Sequence, residues 1–420
     1  MIAAAEGLAT TLAAPALRAW LRRRAVLGKE IPARLPERWG EDASARPRGK
    51  LLWLHAASVG ETVSVLPVLE AFAVAAPDAS VLFTTGTVTS AELLARRVPG
   101  GRVLHQFVPL DVPRWVGRFL DHWQPDAAAF VESEIWPNLL AACRARQIPL
   151  MLVNARLSAR SFARWRRAGG FARSLFGGFA QVQAQSAADA GRLRALGAGT
   201  VSAPGNLKFA APPLPVDPAG LAALRAALAG RPVWLAASTH PGEEALIGAV
   251  HRALAPRLPG LLTVIVPRHP ARGPEIAASL TGLAVTRRAA GEGPPAEGGV
   301  WIADTLGELG LFYAAIGLAF VGGSLVAHGG QNVLEPARLG CAIAVGPHVA
   351  NFAEPVAVLA AAGGIAQVAD AAALADWVAA MLADAPRRTA MADAARRVAT
   401  RDADLPHQVA AALAALLPPT

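Results

Sequence analysis

Cysteine is scarce in this chain: Cys143 and Cys341 stand far apart among 420 residues. That excludes a dense disulfide framework and lacks the close ligand spacing of a zinc site, so both read as small buried apolar residues in a reducing compartment. Lysine is scarcer still relative to arginine, since Lys29, Lys50 and Lys208 are the only lysines among 40 basic residues. Lys208, alone after residue 50, therefore marks a place that calls for a compact ammonium. There is also no long unbroken apolar run. The stretch from Met1 to Leu17 is apolar but interrupted by Glu6, Thr10, Thr11 and Pro15, which makes it short and broken for a membrane span. A secretory leader does not fit, because the basic cluster follows the apolar run and no small-residue cleavage pattern closes it. No internal repeat of short period is visible.

What is present is apolar and basic. At 53% hydrophobic the chain can bury large cores, and its length favours two or three domains. The net charge of +9 is concentrated at the front, where residues 1–50 hold ten Lys/Arg against five Asp/Glu, a balance of +5. That asymmetry favours an anionic partner. Leu17, Trp20 and Leu21 fall at helical spacing beside Arg18, Arg22, Arg23 and Arg24, the composition of a helix lying at a lipid headgroup surface. Residues 1–34 are expected to form a membrane-associating segment, a peripheral anchor in preference to the alternative of a single spanning helix, with its arginines on the cytoplasmic side.

From Leu51 onward, short apolar runs alternate with helical stretches. LLWLHAAS, SVLFTTG, AAAFVESE, PLMLVNA and AQVQAQS read as strands, and after the proline-rich PGNLKFAAPPLPVDPAG the rhythm resumes with RPVWLAAST, LLTVIVPRHP, GLAVTRR, GVWIADT, LAFVGGS and CAIAVG. Such alternation is that of parallel sheets covered by helices. Two doubly wound α/β domains are expected, 35–205 and 206–420, with the C-terminal helix able to pack back on the first. Ligand is expected in a cleft at the carboxyl ends of the strands.

The chemistry-bearing residues sit at those strand ends. In HAASVGETV, Glu61 lies near a helix start, placed either to act as a general base or to complement the helix dipole. In FVESEIWPN, Glu132 is the preferred functional carboxylate, Glu134 the reserve, and a loop-fixing role is open to both. Arg268 and His269 follow a strand and suit a phosphate or a base, or are merely solvated. Ser238 and Thr239 end another strand, and Gly307 and Glu308 open a helix. The stretch FVGGSLVAHGGQNVLEP runs strand, glycine loop, helix start, so its amides and Asn332 can face a phosphate while Glu335 accepts hydrogen bonds from a sugar. Between them, Arg156, Arg160, Arg164, Arg166, Arg167 and Arg173 interleave with Phe162, Trp165, Phe171 and Phe176. That mixture fits a phosphorylated lipid surface, nucleic acid, or a solvated basic face. The neighbouring N-terminal segment favours lipid.

Taken in order, SVGE, VESEIWPN, NARLS, GNLKF, PRHP, DTLGELGLFY and FVGGSLVAHGGQNVLEP resemble the 3-deoxy-D-manno-oct-2-ulosonic acid (Kdo) transferases, over about Leu35 to Pro347. The resemblance implies a GT-B fold of two Rossmann-like domains facing a central cleft. It implies an inverting transfer of Kdo from CMP-Kdo to a lipid A precursor, at the cytoplasmic face of the inner membrane, with no metal and no other cofactor. Carried over by position, it makes Glu61 the general base, with Glu132 and Lys208 stabilising the transition state. CMP would be held by Arg268, His269, Leu306, Gly307, Glu308, Asn332, Val333, Leu334 and Glu335. This chain departs from the family in having Gln331 where histidine is common before the asparagine, and glutamine still donates a hydrogen bond.

Two other readings compete. One is a GT-B enzyme acting on a different nucleotide sugar, such as a UDP-sugar transferase or epimerase. The other is a non-catalytic basic module binding membrane or nucleic acid, in which the strand-end carboxylates would have no role; no nucleic-acid partner is expected.

Overall fold

The computed structural model describes residues 2–98 and 101–419, with side chains from Gly7 onward. Met1 and Thr420, the ends of the expected segments 1–34 and 206–420, lie outside the described residues. Two compact units emerge, Met1–Ala211 together with Asp402–Thr420, and Pro212–Arg401.

The first unit is built on seven strands: β1 Leu51–Ala56, β2 Ser80–Thr85, β3 Val103–Phe107, β4 Ala127–Val131, β5 Leu150–Ala155, β6 Gln181–Ala184 and β7 Val201–Ser202. They pair in the order β3-β2-β1-β4-β5-β6-β7, all parallel. Both faces are covered, so strand side chains alternate between two cores. Leu51 and Trp53 of β1 and Phe130 of β4 join one; Leu52 and Leu54, with Ala129 and Val131, join the other. The C-terminal helix Leu405–Ala415 closes the second core against the helix Val59–Ala75, burying Leu405, Val409 and Leu413.

The second unit repeats the plan with β8 Val233–Thr239, β9 Leu262–Pro267, β10 Val285–Arg287, β11 Gly299–Ile302, β12 Leu318–Val321, β13 Ala342–Val345 and β14 Ile365–Gln367. Their order is β10-β11-β9-β8-β12-β13-β14, again parallel. In the first sheet the chain works outward from β1 to β3, then crosses back to start β4; in the second it passes from β8 to β9, out to the edge strand β10 and back to β11 between them, before crossing to β12. The crossing falls between β1 and β4 in the first unit and between β8 and β12 in the second. Loops leaving such adjacent strand ends splay apart and leave a crevice, the usual ligand position in doubly wound sheets.

Ile2–Val26 forms one helix, but its faces differ from the expectation for the N-terminal segment. Leu21 is buried and the Arg18 guanidinium lies over the rings of Trp39 and Trp115, while Leu8, Leu12, Trp20, Val26 and Leu27 are exposed. Of Leu17, Trp20 and Leu21, only Trp20 is thus exposed, while Leu17 is half-buried and Leu21 turns inward. The reason is packing: the helix lies against Pro113–Trp123 and Pro137–Ala145. Among the described residues, no helix is long and apolar enough to cross a membrane.

Candidate active site

At the switch point of the first unit, the turn after β1 starts the helix Val59–Ala75 with Ser58 as its cap. The Ser58 hydroxyl accepts from the Glu61 amide at 3.3 Å and donates to Glu61 Oε1 at 2.8 Å, while Glu61 Oε2 accepts from the Ala57 amide at 2.7 Å. Ser58 and Glu61 thus cap the helix start together, Glu61 reaching back to the Ala57 amide, so the dipole-complementing role open to Glu61 is realised in the structure. Burial nonetheless pushes the Glu61 carboxyl above the usual carboxylate range, against those hydrogen bonds and with help from the charges of Glu134 and Glu132.

Those two neighbours come from the adjacent strand. Glu132 follows β4 in a left-handed conformation (φ 58°), which costs a non-glycine residue energy and turns the chain out of the strand line. It pairs with the Lys208 ammonium at 2.8 Å. Glu134 accepts from Trp136 Nε1 at 2.7 Å and lies 3.3 Å from His55 Nε2. Burial acts to raise its pKa, but the His55 and Trp136 contacts prevail and hold it low. The structure therefore gives Glu134 the loop-fixing role, and His55, a buried strand residue on Thr84, is the group that sequence reasoning did not single out.

Lys208 is positioned by its own turn. The Asn206 amide donates to Asp402, the Leu207 amide to Asn154 Oδ1 and the Lys208 amide to Asn206 Oδ1, each at 2.9–3.0 Å. Asn154, next to the last residue of β5, has φ 53°, and Gly205 has no room for a Cβ, which would lie 2.7 Å from the Asp402 carboxyl. Nothing in local spacing marks Asn154 or Asp402, since both act through a turn distant in sequence.

In the second unit, Arg268 and His269 leave β9 next to the β8 end. His240 stacks on His328 at 3.7 Å between ring centroids and meets His269 edge-on at 6.3 Å. Burial, then the charges of His328, His269 and Arg268, depress the His240 pKa. Gln331 Nε2 lies 2.9 Å from His240 Nε2, so the glutamine that departs from the family pattern is engaged with this imidazole cluster. Asn332 donates to Glu335 Oε1 at 3.1 Å and caps the Leu334 amide at 3.0 Å. Burial raises the Glu335 pKa, against Asn332, Arg338 and Arg268.

Two expectations change here. The helix after the glycine loop begins at Leu334 and runs only to Arg338, so Asn332 precedes it rather than opening it. The loop amides expected to face a phosphate are taken: Gly323, Ser324 and Leu325 all donate to the buried Glu243 carboxylate. Thr239 likewise gives its hydroxyl to Glu244 at 2.9 Å. The segment Leu306–Glu308 is separate in its bonding. Glu308 is paired with Arg288 and Thr305, Arg288 holding its pKa down, and Leu306 is 85% exposed. Thr305 and Glu308 line a cavity of about 530 Å³ with Arg288 and Trp301.

The stretch of interleaved arginines and aromatics also sorts itself by face. Trp165 packs edge-on against buried Phe176 at 5.4 Å and near Phe171 at 6.4 Å, while Arg160, Arg164, Arg166 and Arg167 stay exposed. Phe176 belongs to the core, with Phe162 and Trp165 packed against it, and the arginines leave a basic surface on the helix Ala159–Arg167. Among the described residues, no group of three or more His, Cys, Asp or Glu side chains is arranged to hold a metal ion.

Residues 33–211 match the family described as 3-Deoxy-D-manno-octulosonic-acid transferase (kdotransferase). A 3-deoxy-D-manno-octulosonic acid transferase of Bordetella pertussis is 38% identical over 393 residues, covering 90% of this chain and 91% of that protein. A probable mitochondrial 3-deoxy-D-manno-octulosonic acid transferase of Arabidopsis thaliana is 37% identical over 353 residues, 81% of this chain and 79% of that protein. In fold, MurG of Acinetobacter baumannii superposes with a TM-score of 0.53 at 14% identity, over 86% of this chain and 100% of that one. The two parallel sheets are thus those of the GT-B glycosyltransferases.

Proposed function

The chain belongs to the 3-deoxy-D-manno-octulosonic acid transferase family, which makes it a glycosyltransferase, and on that premise we propose that it moves Kdo from CMP-Kdo to a lipid A precursor with inversion at the sugar. The observation that carries this reading is the geometry at the first switch point, where Glu61 stands at the helix start after β1 and the Glu132–Lys208 ion pair follows the adjacent strand β4. In the proposed step an acceptor hydroxyl attacks the anomeric carbon and gives its proton to Glu61. The bond from that carbon to the CMP phosphate oxygen breaks, and the electron pair leaves with CMP. Lys208 and Glu132 shape the field at the reacting sugar, and cationic side chains supply charge stabilisation for the departing phosphate.

CMP is assigned to the second unit, by Arg268, His269, the segment Leu306–Glu308 and Asn332–Glu335. The hydrogen bond that joins Asn332 to Glu335 supports that part of the set, whereas Glu308 would have to exchange Arg288 for the ligand. A lipid acceptor is supported by exposed Val59 (40%) and Val63 (44%), one turn apart on the helix that carries Glu61. The apolar stripe of the N-terminal helix and the basic helix Ala159–Arg167 support attachment at the cytoplasmic face of the inner membrane. Incubation with CMP-Kdo and a tetraacylated lipid A precursor, followed by mass spectrometry of the lipid, tests the reading. Added Kdo is expected, together with thermal protection by CMP and not by UDP; protection by UDP alone would transfer the chain to the nucleotide-sugar enzymes of that type.

A further inference from the structure

The glycine loop after β12 already contains an anion, and it belongs to the protein. Glu243, the first residue of the helix Glu243–Leu254, is completely buried. Its Oε2 accepts from the Gly323 amide at 2.6 Å and the His240 amide at 3.0 Å, and its Oε1 from the Ser324 amide at 3.0 Å and the Leu325 amide at 2.9 Å. Four N–H groups converge on two oxygens, as they would on a phosphate. Gly322 is shaped by the same contact, since a Cβ there would lie 2.8 Å from Glu243 Oε2 and 2.7 Å from the Ser238 carbonyl.

From that anchor a chain of contacts leads to the donor residues. The Gly323 carbonyl accepts from the Gly330 amide at 2.7 Å, Gln331 follows on His240, and Asn332 holds Glu335. On the far side Ser324 is pinned by the Gly346 and His348 amides. A buried carboxylate is costly unless its lone pairs are satisfied, and amides that lose their acceptor are equally costly. Loop and carboxylate therefore hold each other.

We infer that Glu243 is a positioning residue for donor binding: its carboxylate is the resident anion of the glycine loop and sets the segment Gly330–Glu335, so CMP binds beside this cradle and not in it. The inference rests on the assignment of CMP to the second unit.

The test uses the full chain with Glu243→Gln and Glu243→Ala, CMP binding by calorimetry, and formate as a small carboxylate. A carboxamide turns an NH₂ toward amides that need an acceptor, so Glu243→Gln is expected to lose about tenfold in CMP affinity, with kcat at saturating CMP-Kdo changed much less. In Glu243→Ala, formate is expected to fill the vacated cradle, raising the Tm and restoring CMP affinity saturably, while equal chloride does neither and the wild type does not respond. Wild-type CMP affinity in folded Glu243→Gln, or a Glu243→Ala Tm indifferent to formate, overturns the inference. Should both variants fail to fold, Glu243→Asp decides, since it keeps the charge one methylene short: weakened CMP binding supports the role and unchanged binding overturns it. If CMP does not bind the wild type, the donor assignment falls, and the formate-dependent Tm of Glu243→Ala still reports on the cradle.

Discussion

A carboxylate that must accept a proton from an alcohol works best when its pKa lies nearer the working pH, and burial moves Glu61 that way. Because the base must be ionised, the rate should fall on acidification at a pH above the ordinary carboxylate range of about 4, a limb that kcat/KM profiles will locate. Linkage has the opposite consequence for stability. The folded state binds the proton more tightly than the unfolded one, so Glu61 contributes a loss of stability as pH rises from the ordinary carboxylate range through its raised value. Over that window the wild-type Tm should decline more than that of Glu61→Gln. Glu61→Ala should abolish transfer and leave CMP binding unchanged by calorimetry; near-normal turnover would remove Glu61 as the base. Lys208→Met separates rate from stability in another way. Its ion pair with Glu132 is partly exposed and such pairs contribute about 0–1 kcal/mol, so the Tm should barely move while kcat falls on the order of a hundredfold.

At the scale of the element, the helix Ala159–Arg167 has no buried residue and ends in Arg164, Arg166 and Arg167. Near an anionic bilayer each arginine contributes roughly 1 kcal/mol. Replacing all three by Gln should weaken sedimentation with phosphatidylglycerol-containing vesicles about a hundredfold, and vesicles of neutral lipid should show no difference. Strands also belong to this scale. Inner strands such as β4, β12 and β13 are apolar runs buried on both faces and could be read directly. Strands β3, β7 and β14 lie at sheet edges, where they are half covered and admit His105, Ser202 and Gln367. Their sequences carry little of the apolar continuity that announces a parallel strand.

For the whole molecule, the informative feature is the return of Asp402–Thr420 to the first unit. Leu413 is fully buried there, and Leu413→Ala should cost about 2–5 kcal/mol, seen in calorimetry as a Tm loss of roughly 5–15 °C for a unit of this size. The same return brings Asp402 to the Asn206 amide and so ties the last residues of the chain to the turn that presents Lys208.

By itself the sequence determined the class of fold, the alternation of strand and helix, and the placing of Glu61, Glu132 and Arg268 just past strand ends, because apolar periodicity and turn chemistry are local. Only the tertiary structure decided which neighbour each of these charges has. Glu134 was drawn to His55, Glu308 to Arg288, and the glycine-loop amides to Glu243, 80 residues before Gly323 in the chain. Pairing depends on strand order and crossover, which bring distant segments within hydrogen-bonding reach, and no local pattern records a partner that arrives from another strand.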